Sequence, residues 1–250
     1  VVFQGILRNP LADPYTLGIS AGAAFGACVA FFFNMSYFQG LSVGLCAFAG
    51  AVMTLAVVLY LSGGYSSNNL ILSGIIVAAI LSAGISYLKF VADEQVSVII
   101  FWLMGDLSAA GADSLPLLLG VLPCFVLIYI LAQPLNLLLT GQDNAAAMGV
   151  NVRVVMPVLL LATSLMVSLT VCQSGLIGFV GLTIPHVLRL TIGPDHRILV
   201  PASILTGASY LVVCDLLARS LPAEGEMSVG IVTALIGAPL FIALLWRDRR

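Results

Sequence analysis

The stretch GFVGLTIPHVLRLTIGPDHR, residues 178–197, begins with the small and branched apolar residues that are typical of a membrane helix. The same run then contains Pro185, His186 and Arg189. Pro185 removes a backbone hydrogen bond and predicts a kink, and Gly193 followed by proline predicts a sharp helix stop. Cations are favoured at helix C-termini, and a long arginine side chain can reach the headgroups. We therefore expect a helix that leaves a membrane where His186 and Arg189 occur.

Composition places the whole chain in a bilayer. Its 250 residues are 61% hydrophobic and 8% charged, whereas soluble domains carry about 25% charged residues. A soluble core of this size could not bury so much apolar surface. The net charge is −2 and Lys89 is the single lysine, so no basic surface for nucleic acid is predicted.

Eight apolar segments are long enough to predict membrane spans, and turn residues separate them. We therefore predict an all-α, polytopic membrane protein that forms a single transmembrane domain over residues 1–250. A ninth apolar piece, SVIIFWLMG at 97–105, is too short to span and predicts an interfacial or re-entrant helix. The predicted spans are 15–33, 41–62, 70–90, 114–132, 154–172, 176–192, 199–219 and 229–246.

Basic residues divide unequally between the two sides that eight spans define. Only Lys89 and Arg219 fall on the second side. The positive-inside rule then places both ends of the chain in the cytoplasm. The first side holds Arg8, Arg153, Arg189, Arg197, Arg247, Arg249 and Arg250.

No catalytic chemistry is legible. The lysine of a P-loop is missing, no H-E-x-x-H or G-x-S-x-G occurs, and the two histidines have no partner at ligand spacing. We predict no catalytic residue, no metal site and no cofactor, and interpret the five cysteines as buried apolar residues. Asp215 lies deep in a span with Arg219 four residues later. This pattern fits an ion pair at a helix end, and also leaves open a proton relay in a secondary transporter. A polytopic intramembrane enzyme is a separate alternative, which would need a nucleophile–base or metal pair within the membrane.

Two patterns predict close contacts. Gly175, Gly178 and Gly181 recur every third residue, which predicts a helix face that lets a neighbour approach closely. TGQDNAAAMGVNVR, residues 140–153, predicts a short exposed helix with Asp143 as N-cap and Gly149 as C-cap. That helix is either a plain connector or a docking element for a cytoplasmic partner.

Four separated blocks, in order along the chain, strongly resemble the FecCD-type permeases. The blocks are RNPLADPYTLGISAGAAFG (8–26), FWLMGDL (101–107), GLIGFVGLTIPHVLRLTIGPDHR (175–197) and VGIVTALIGAPLFIALL (229–245). These permeases are membrane subunits of ABC importers for iron–siderophore, haem and cobalamin. The resemblance implies a ten-helix fold of which this chain holds eight spans, lacking the first span and most of the second.

The resemblance also implies a mechanism and partners. Two permease subunits in the bacterial inner membrane form the pathway, two ATPase subunits bind below and hydrolyse ATP, and a binding protein delivers substrate from above. Coupling to the ATPases falls on Gly141, Asp143, Ala146, Ala147 and Gly149. The cytoplasmic gate falls on Ser67 and Asn68, and docking of the binding protein on Arg219.

The substrate remains open among ferric siderophore, haem and cobalamin, and we expect a ferric siderophore because that branch of the family is broad. Ser73, Ser82, Ser86 and Tyr87 are small or polar and follow the gate on one helix, so they predict a pathway wall, although such residues also pack helices.

Overall fold

Twelve α-helices make up the regular structure of the described part of the chain. The computed structural model describes residues 1–34, 41–92, 95–108, 111, 115–222 and 227–248, with the backbone alone at 41, 115–118, 245 and 247–248. The helices are α1 (Val2–Ile6), α2 (Ile19–Phe32), α3 (Leu41–Ser62), α4 (Ser67–Val91), α5 (Val96–Met104), α6 (Leu115–Ile130), α7 (Ala132–Leu138), α8 (Gln142–Ala147), α9 (Val152–Ser174), α10 (Val180–Ile192), α11 (His196–Ser220) and α12 (Val229–Asp248).

Each predicted span corresponds to a helical segment, but the segments differ in length. α3, α4, α9 and α11 are long and apolar enough to cross a membrane, and α6 with α7 forms a fifth, bent candidate. α2, α10 and the apolar part of α12, Val229–Leu244, are shorter. The short helix expected at 97–105 is α5. The chain is therefore an all-α polytopic membrane protein.

Long helices of alternating direction give the molecule two ends. We call the end that carries α8 and the α3–α4 turn the α8 face, because the Gln142 side chain contacts the Tyr65 carbonyl there. We call the opposite end the α5 face, where Asp106 N–H bonds the Ser174 carbonyl at the end of α9. Arg8 lies beside Gly141 at the α8 face, whereas Arg219 ends α11 at the other.

The predicted span 114–132 is broken rather than straight. α6 and α7 meet at Leu131 with a bend of 55°. Pro134 explains the break, because proline has no N–H to donate to the Ile130 carbonyl and its ring clashes with that carbonyl. The bend turns α7 along the α8 face, where it leads directly into α8.

Glycines bring α2 and α3 into close contact at the centre of the bundle. A methyl carbon added to Gly26 would lie 2.1 Å from the Cys46 carbonyl oxygen, and one added to Gly50 would lie 2.2 Å from the Gly22 carbonyl oxygen. Gly22 and Gly26 are spaced as a G-x-x-x-G pair, which lets backbones approach closely in lipid. α2 is buried along most of its length, with Ile19, Ala27 and Ala30 fully enclosed.

A second glycine junction joins three elements at the α5 face. A methyl carbon added to Gly175 would lie 2.2 Å from the Trp102 carbonyl oxygen, and one added to Gly230 would lie 2.0 Å from the Met104 carbonyl oxygen. Ser228 also donates to the Gly105 carbonyl. The end of α5 is therefore held against the end of α9 and the start of α12.

The stretch 178–197 differs from expectation in where its helix begins and in how its glycines pack. α10 begins at Val180 rather than near 176, because Gly175 to Phe179 form a connection with left-handed backbone at both of these residues. Gly175, Gly178 and Gly181 therefore do not share one helix face, and no neighbouring atom lies within 4 Å of a methyl carbon added to Gly178 or Gly181. The prediction of a close-packing glycine face was wrong there.

Arg189 does not extend towards headgroups. Its Nη1 donates to Gln4 Oε1 on α1 at 2.7 Å, and Gln4 Nε2 donates to the Gly181 carbonyl at 3.2 Å. His186 is buried with its ring edge against Phe241 of α12, 5.8 Å between centroids. The polar residues in this run therefore contact α1 and α12, because a partly buried guanidinium is more stable with a hydrogen-bond partner in the protein than in lipid.

Candidate functional site

Helix α8 confirms that residues 142–147 are helical, but its N-cap is not the predicted residue. Gly141, with φ of 113°, occupies the N-cap position and no side chain caps the helix. Asp143 lies inside the first turn, where its negative charge is favoured by the helix dipole. The prediction of Asp143 as N-cap was therefore wrong by two residues, because the chain needs a left-handed glycine to leave the turn that follows α7.

The C-terminus of α8 is closed by a Schellman motif centred on Gly149. Gly149 has φ of 91°, its N–H bonds the Ala146 carbonyl, and the Val150 N–H bonds the Ala145 carbonyl. The first bond has the 5→2 spacing and the second has the 6→1 spacing of this motif, in which glycine follows the cap residue. The C-cap residue is Met148, so the prediction of Gly149 as C-cap was wrong by one residue, although Gly149 does end the helix.

α8 exposes one small-residue surface and buries the other side. Ala146, Ala147 and Gly149 are exposed, and Met148 is 59% exposed beside them. Ala145 is fully buried in the core cluster that includes Leu135, Leu138 and Met156. The helix is therefore fixed to the bundle by one face and presents to its surroundings a short surface of small residues with Met148 at its end.

α7 holds a further polar contact next to α8. Asn136 Nδ2 donates to Asp195 Oδ1 at 2.7 Å, and Asn136 Oδ1 accepts the backbone N–H of His196 at 2.9 Å. Asp195 caps α11 by accepting the Arg197 N–H and also forms an ion pair with the Arg197 guanidinium at 2.7 Å. Hydrogen bonds from Arg197 and Asn136 hold the pKa of Asp195 well below its usual range.

Ser67 and Asn68 are the first two residues of α4 rather than part of a turn. The N-cap is Ser66, and the turn before it is braced by Ser62, whose single hydroxyl hydrogen is shared between the Leu59 and Gly64 carbonyls at 2.9 and 2.8 Å. Ser67 is half-buried and Asn68 is exposed. The structure thus places both residues at the α8 face. They follow Tyr65, whose carbonyl accepts a hydrogen bond from Gln142 of α8.

Asn68 begins a continuous exposed line of side chains along α4, which we call the α4 stripe. The members recur at helical spacing of four and three residues and all are exposed. The stripe changes from branched apolar residues near the α8 face to serines nearer the α5 face. It consists of Asn68, Leu72, Ile75, Ala79, Ser82 and Ser86.

The predicted wall residues do not all lie on this stripe. Ser82 and Ser86 do, and Tyr87 is 67% exposed beside them. Ser73 is buried among neighbouring helices, so its assignment to a pathway wall was wrong. Its position on α4 is away from the stripe and next to Gly74, whose missing side chain lets α4 pack against Thr16 and Leu17.

Arg219 forms the ion pair that its spacing indicated. Its Nε lies 2.9 Å from Asp215 Oδ2, and the side chains are 44% and 25% exposed. A partly exposed pair at i, i+4 contributes under about 1 kcal/mol. The nearby acids Glu224 and Glu226 lie outside the described residues. Arg219 therefore keeps an accessible guanidinium at the α5 face, held in direction by Asp215.

Sequence reasoning missed two site residues, Asn136 and Gln142. Asn136 lies in an apolar run, whereas Gln142 lies beside Asp143 and Asn144 in the polar start of the segment 140–153, where nothing in the sequence distinguishes it. The only available signal was that polar residues at the end of a span need partners. Within the described ranges, no three His, Cys, Asp or Glu side chains come together as metal ligands would.

Comparison with known proteins agrees with this geometry. The model of the FecCD transport family matches residues 1–247. YvrB, an uncharacterized ABC transporter permease of Bacillus subtilis (strain 168), is 41% identical over 258 residues, covering 99% of this chain and 72% of YvrB. The vitamin B12 import system permease BtuC of Salmonella typhi is 36% identical over 251 residues, covering 100% of this chain and 77% of BtuC.

A solved structure extends the likeness to the fold. A metal-chelate type ABC transporter in an inward-facing conformation superposes with a TM-score of 0.91 at 36% identity, covering 98% of this chain and 79% of that one. At this identity and coverage the likeness concerns the sequence as well as the architecture. The family match and these relatives show that the chain belongs to the FecCD transport family, as an ABC importer permease.

Proposed function

We propose that this permease is the membrane subunit of a binding-protein-dependent importer that moves a metal chelate inward by ATP-driven alternating access. It pairs with a second permease subunit, either an identical copy or a sister chain. Two ATPases bind the α8 face, which is cytoplasmic, and a binding protein docks on the α5 face. ATP hydrolysis belongs to the ATPases, so this chain is not an enzyme.

The observation that carries the proposal is the placement of α8 beside the turn that leads into α4, where Gln142 contacts the Tyr65 carbonyl. An exposed helix of small residues fits a cleft on another protein, because small side chains allow close approach. Gly141, Asp143, Ala146, Ala147 and Gly149 would form this coupling element. A movement of α8 caused by the ATPases would be passed to Ser67 and Asn68, where the α4 stripe begins. That movement would open or close the pathway.

The chelate itself is the finer part of the proposal. We propose a ferric siderophore, because that branch of the family is broad. Cobalamin is the second candidate, because BtuC permeases at 36% identity are named for vitamin B12 import. Haem is the third candidate. All three are large planar or globular chelates that a stripe of mixed apolar and serine side chains could pass without binding tightly.

Reconstitution tests the proposal directly. The permease would be purified with its ATPases and binding protein in proteoliposomes and supplied in parallel with ferric siderophore, haem and cobalamin. We expect ATP-dependent accumulation of one chelate that requires the binding protein. Accumulation that proceeds without ATPases would contradict the importer mechanism and favour a secondary transporter.

Crosslinking across the subunit pair tests the gate. We expect Ser67→Cys, in a variant without the five native cysteines, to form a disulfide with the equivalent position of the second permease in at least one nucleotide state. The reason is that a gate must close near the pathway axis. Leu205→Cys on the exposed side of α11 serves as control and should not crosslink. Absence of the Ser67→Cys product in every nucleotide state would rule out a gate at this position.

Charge reversal at Arg219 tests docking. Arg219→Glu should weaken association with the binding protein, since complementary charge orients and steers docking, and the loss should shrink as salt is raised. Asp215→Asn is the matched control, because it breaks the local ion pair but leaves the cation in place. Equal affinities of Arg219→Glu and the parent protein for the binding protein, over a range of salt concentrations, would show that Arg219 interacts only within its own helix.

A further inference from the structure

The Gln142 side chain joins α8 to the turn between α3 and α4. Gln142 Nε2 donates to the Tyr65 carbonyl oxygen at 2.9 Å, although the two residues are 77 positions apart. The same nitrogen lies 3.5 Å from the sulfur of Met156, which is buried at the start of α9. A carbonyl can only accept, so the amide must present its NH₂ group there.

The turn that receives this bond is internally braced. Ser62 closes it from one side through its bonds to Leu59 and Gly64. Asn69 Nδ2 closes it from the other by donating to the Ser62 carbonyl at 3.2 Å. Tyr65 is half-buried against the core. Ser67 follows Tyr65 by only two residues, so a displacement of the Tyr65 carbonyl reaches the start of α4 directly along the backbone. The Asn69–Ser62 bond closes the far side of the turn and is not on that path.

We propose that Gln142 is a positioning residue that transmits movement of α8 to the gate residues Ser67 and Asn68. The inference rests on the proposed function, in which α8 receives the ATPases and the first turn of α4 closes the pathway. The bond does not build the ATPase surface, because Gln142 is half-buried and points into the bundle while Ala146 and Ala147 point outwards. Loss of Gln142 should therefore separate ATP hydrolysis from transport without preventing assembly.

The test measures chelate molecules transported per ATP hydrolysed in the complete reconstituted complex. Gln142→Leu keeps a similar volume and removes the donor, and Gln142→Glu keeps the shape but directs an acceptor at the carbonyl. For both variants we expect normal copurification with the ATPases and normal maximal ATP hydrolysis. The transport ratio should fall about 2- to 10-fold, which corresponds to loss of one hydrogen bond.

Asn69→Leu is the matched control. It removes a bond of the same chemistry, a side-chain amide on a backbone carbonyl of the same turn, but leaves α8 attached. An unchanged ratio in Asn69→Leu with a lowered ratio in both Gln142 variants supports the inference. An unchanged ratio in the Gln142 variants, an equal fall in Asn69→Leu, or loss of the ATPases from both Gln142 variants would overturn it.

Failure of this inference is distinguishable from failure of the proposed function. If the parent complex transports a chelate with ATP and Ala147→Arg abolishes that transport, α8 is the coupling element whatever Gln142 does. If Ala147→Arg transports normally, the coupling proposal itself fails.

Discussion

Ala147→Arg should abolish ATP-driven transport while leaving the permease folded. Ala147 is exposed in the last turn of α8, so the arginine meets no neighbour within the chain. A cation near a helix C-terminus is also favoured by the dipole. In the complex the same side chain would be forced into the cleft that receives α8. A charge buried without a partner costs about 3–5 kcal/mol, which is about a 100-fold or greater loss of affinity.

The measurement is copurification of the ATPases, followed by ATP hydrolysis stimulated by substrate and binding protein. Ala146→Glu should behave in the same way, because Ala146 shares the exposed surface. Gln133→Arg is the matched control, since Gln133 is exposed on α7 at the same face but outside α8. Wild-type ATPase stimulation in Ala147→Arg and Ala146→Glu would contradict the assignment of α8 to coupling.

Gly26→Val should prevent accumulation of folded permease. The first added carbon would lie 2.1 Å from the Cys46 carbonyl oxygen, and backbone cannot rotate away as a side chain can. α2 and α3 would have to separate, which disturbs the most enclosed helix of the bundle. Overpacking typically costs about 1–3 kcal/mol and sometimes more. A valine that displaces a backbone contact belongs at the upper end of that range.

Size-exclusion profiles and thermal unfolding in detergent provide the readout. Gly50→Ala should lower the unfolding midpoint as well, because its methyl carbon meets the Gly22 carbonyl oxygen at 2.2 Å. Gly181→Ala is the control, since a methyl carbon there has no neighbour within 4 Å and alanine favours a helix. A Gly26→Val protein with the parent's midpoint would show that the α2–α3 contact is looser than its geometry indicates.

Much of the architecture was predictable from local pattern. Hydropathy located the spans, the length of 97–105 identified α5 as too short to cross, and Gly149 predicted the end of α8. These features are legible because the bilayer requires about 20 apolar residues per helix and because caps depend on neighbours within a few residues. The functional class followed from sequence blocks that resemble the family.

Only the tertiary structure decided which polar and small residues face one another. Asp143 matched a capping pattern, yet Gly141 caps α8, since the path from α7 sets the backbone there. Ser73 matched the chemistry of a wall but is buried. Gln142 reaches Tyr65 across 77 positions and Arg189 reaches Gln4 across 185. Composition and periodicity describe each helix by itself. Such contacts depend instead on which helices lie side by side and on how each helix is rotated about its axis.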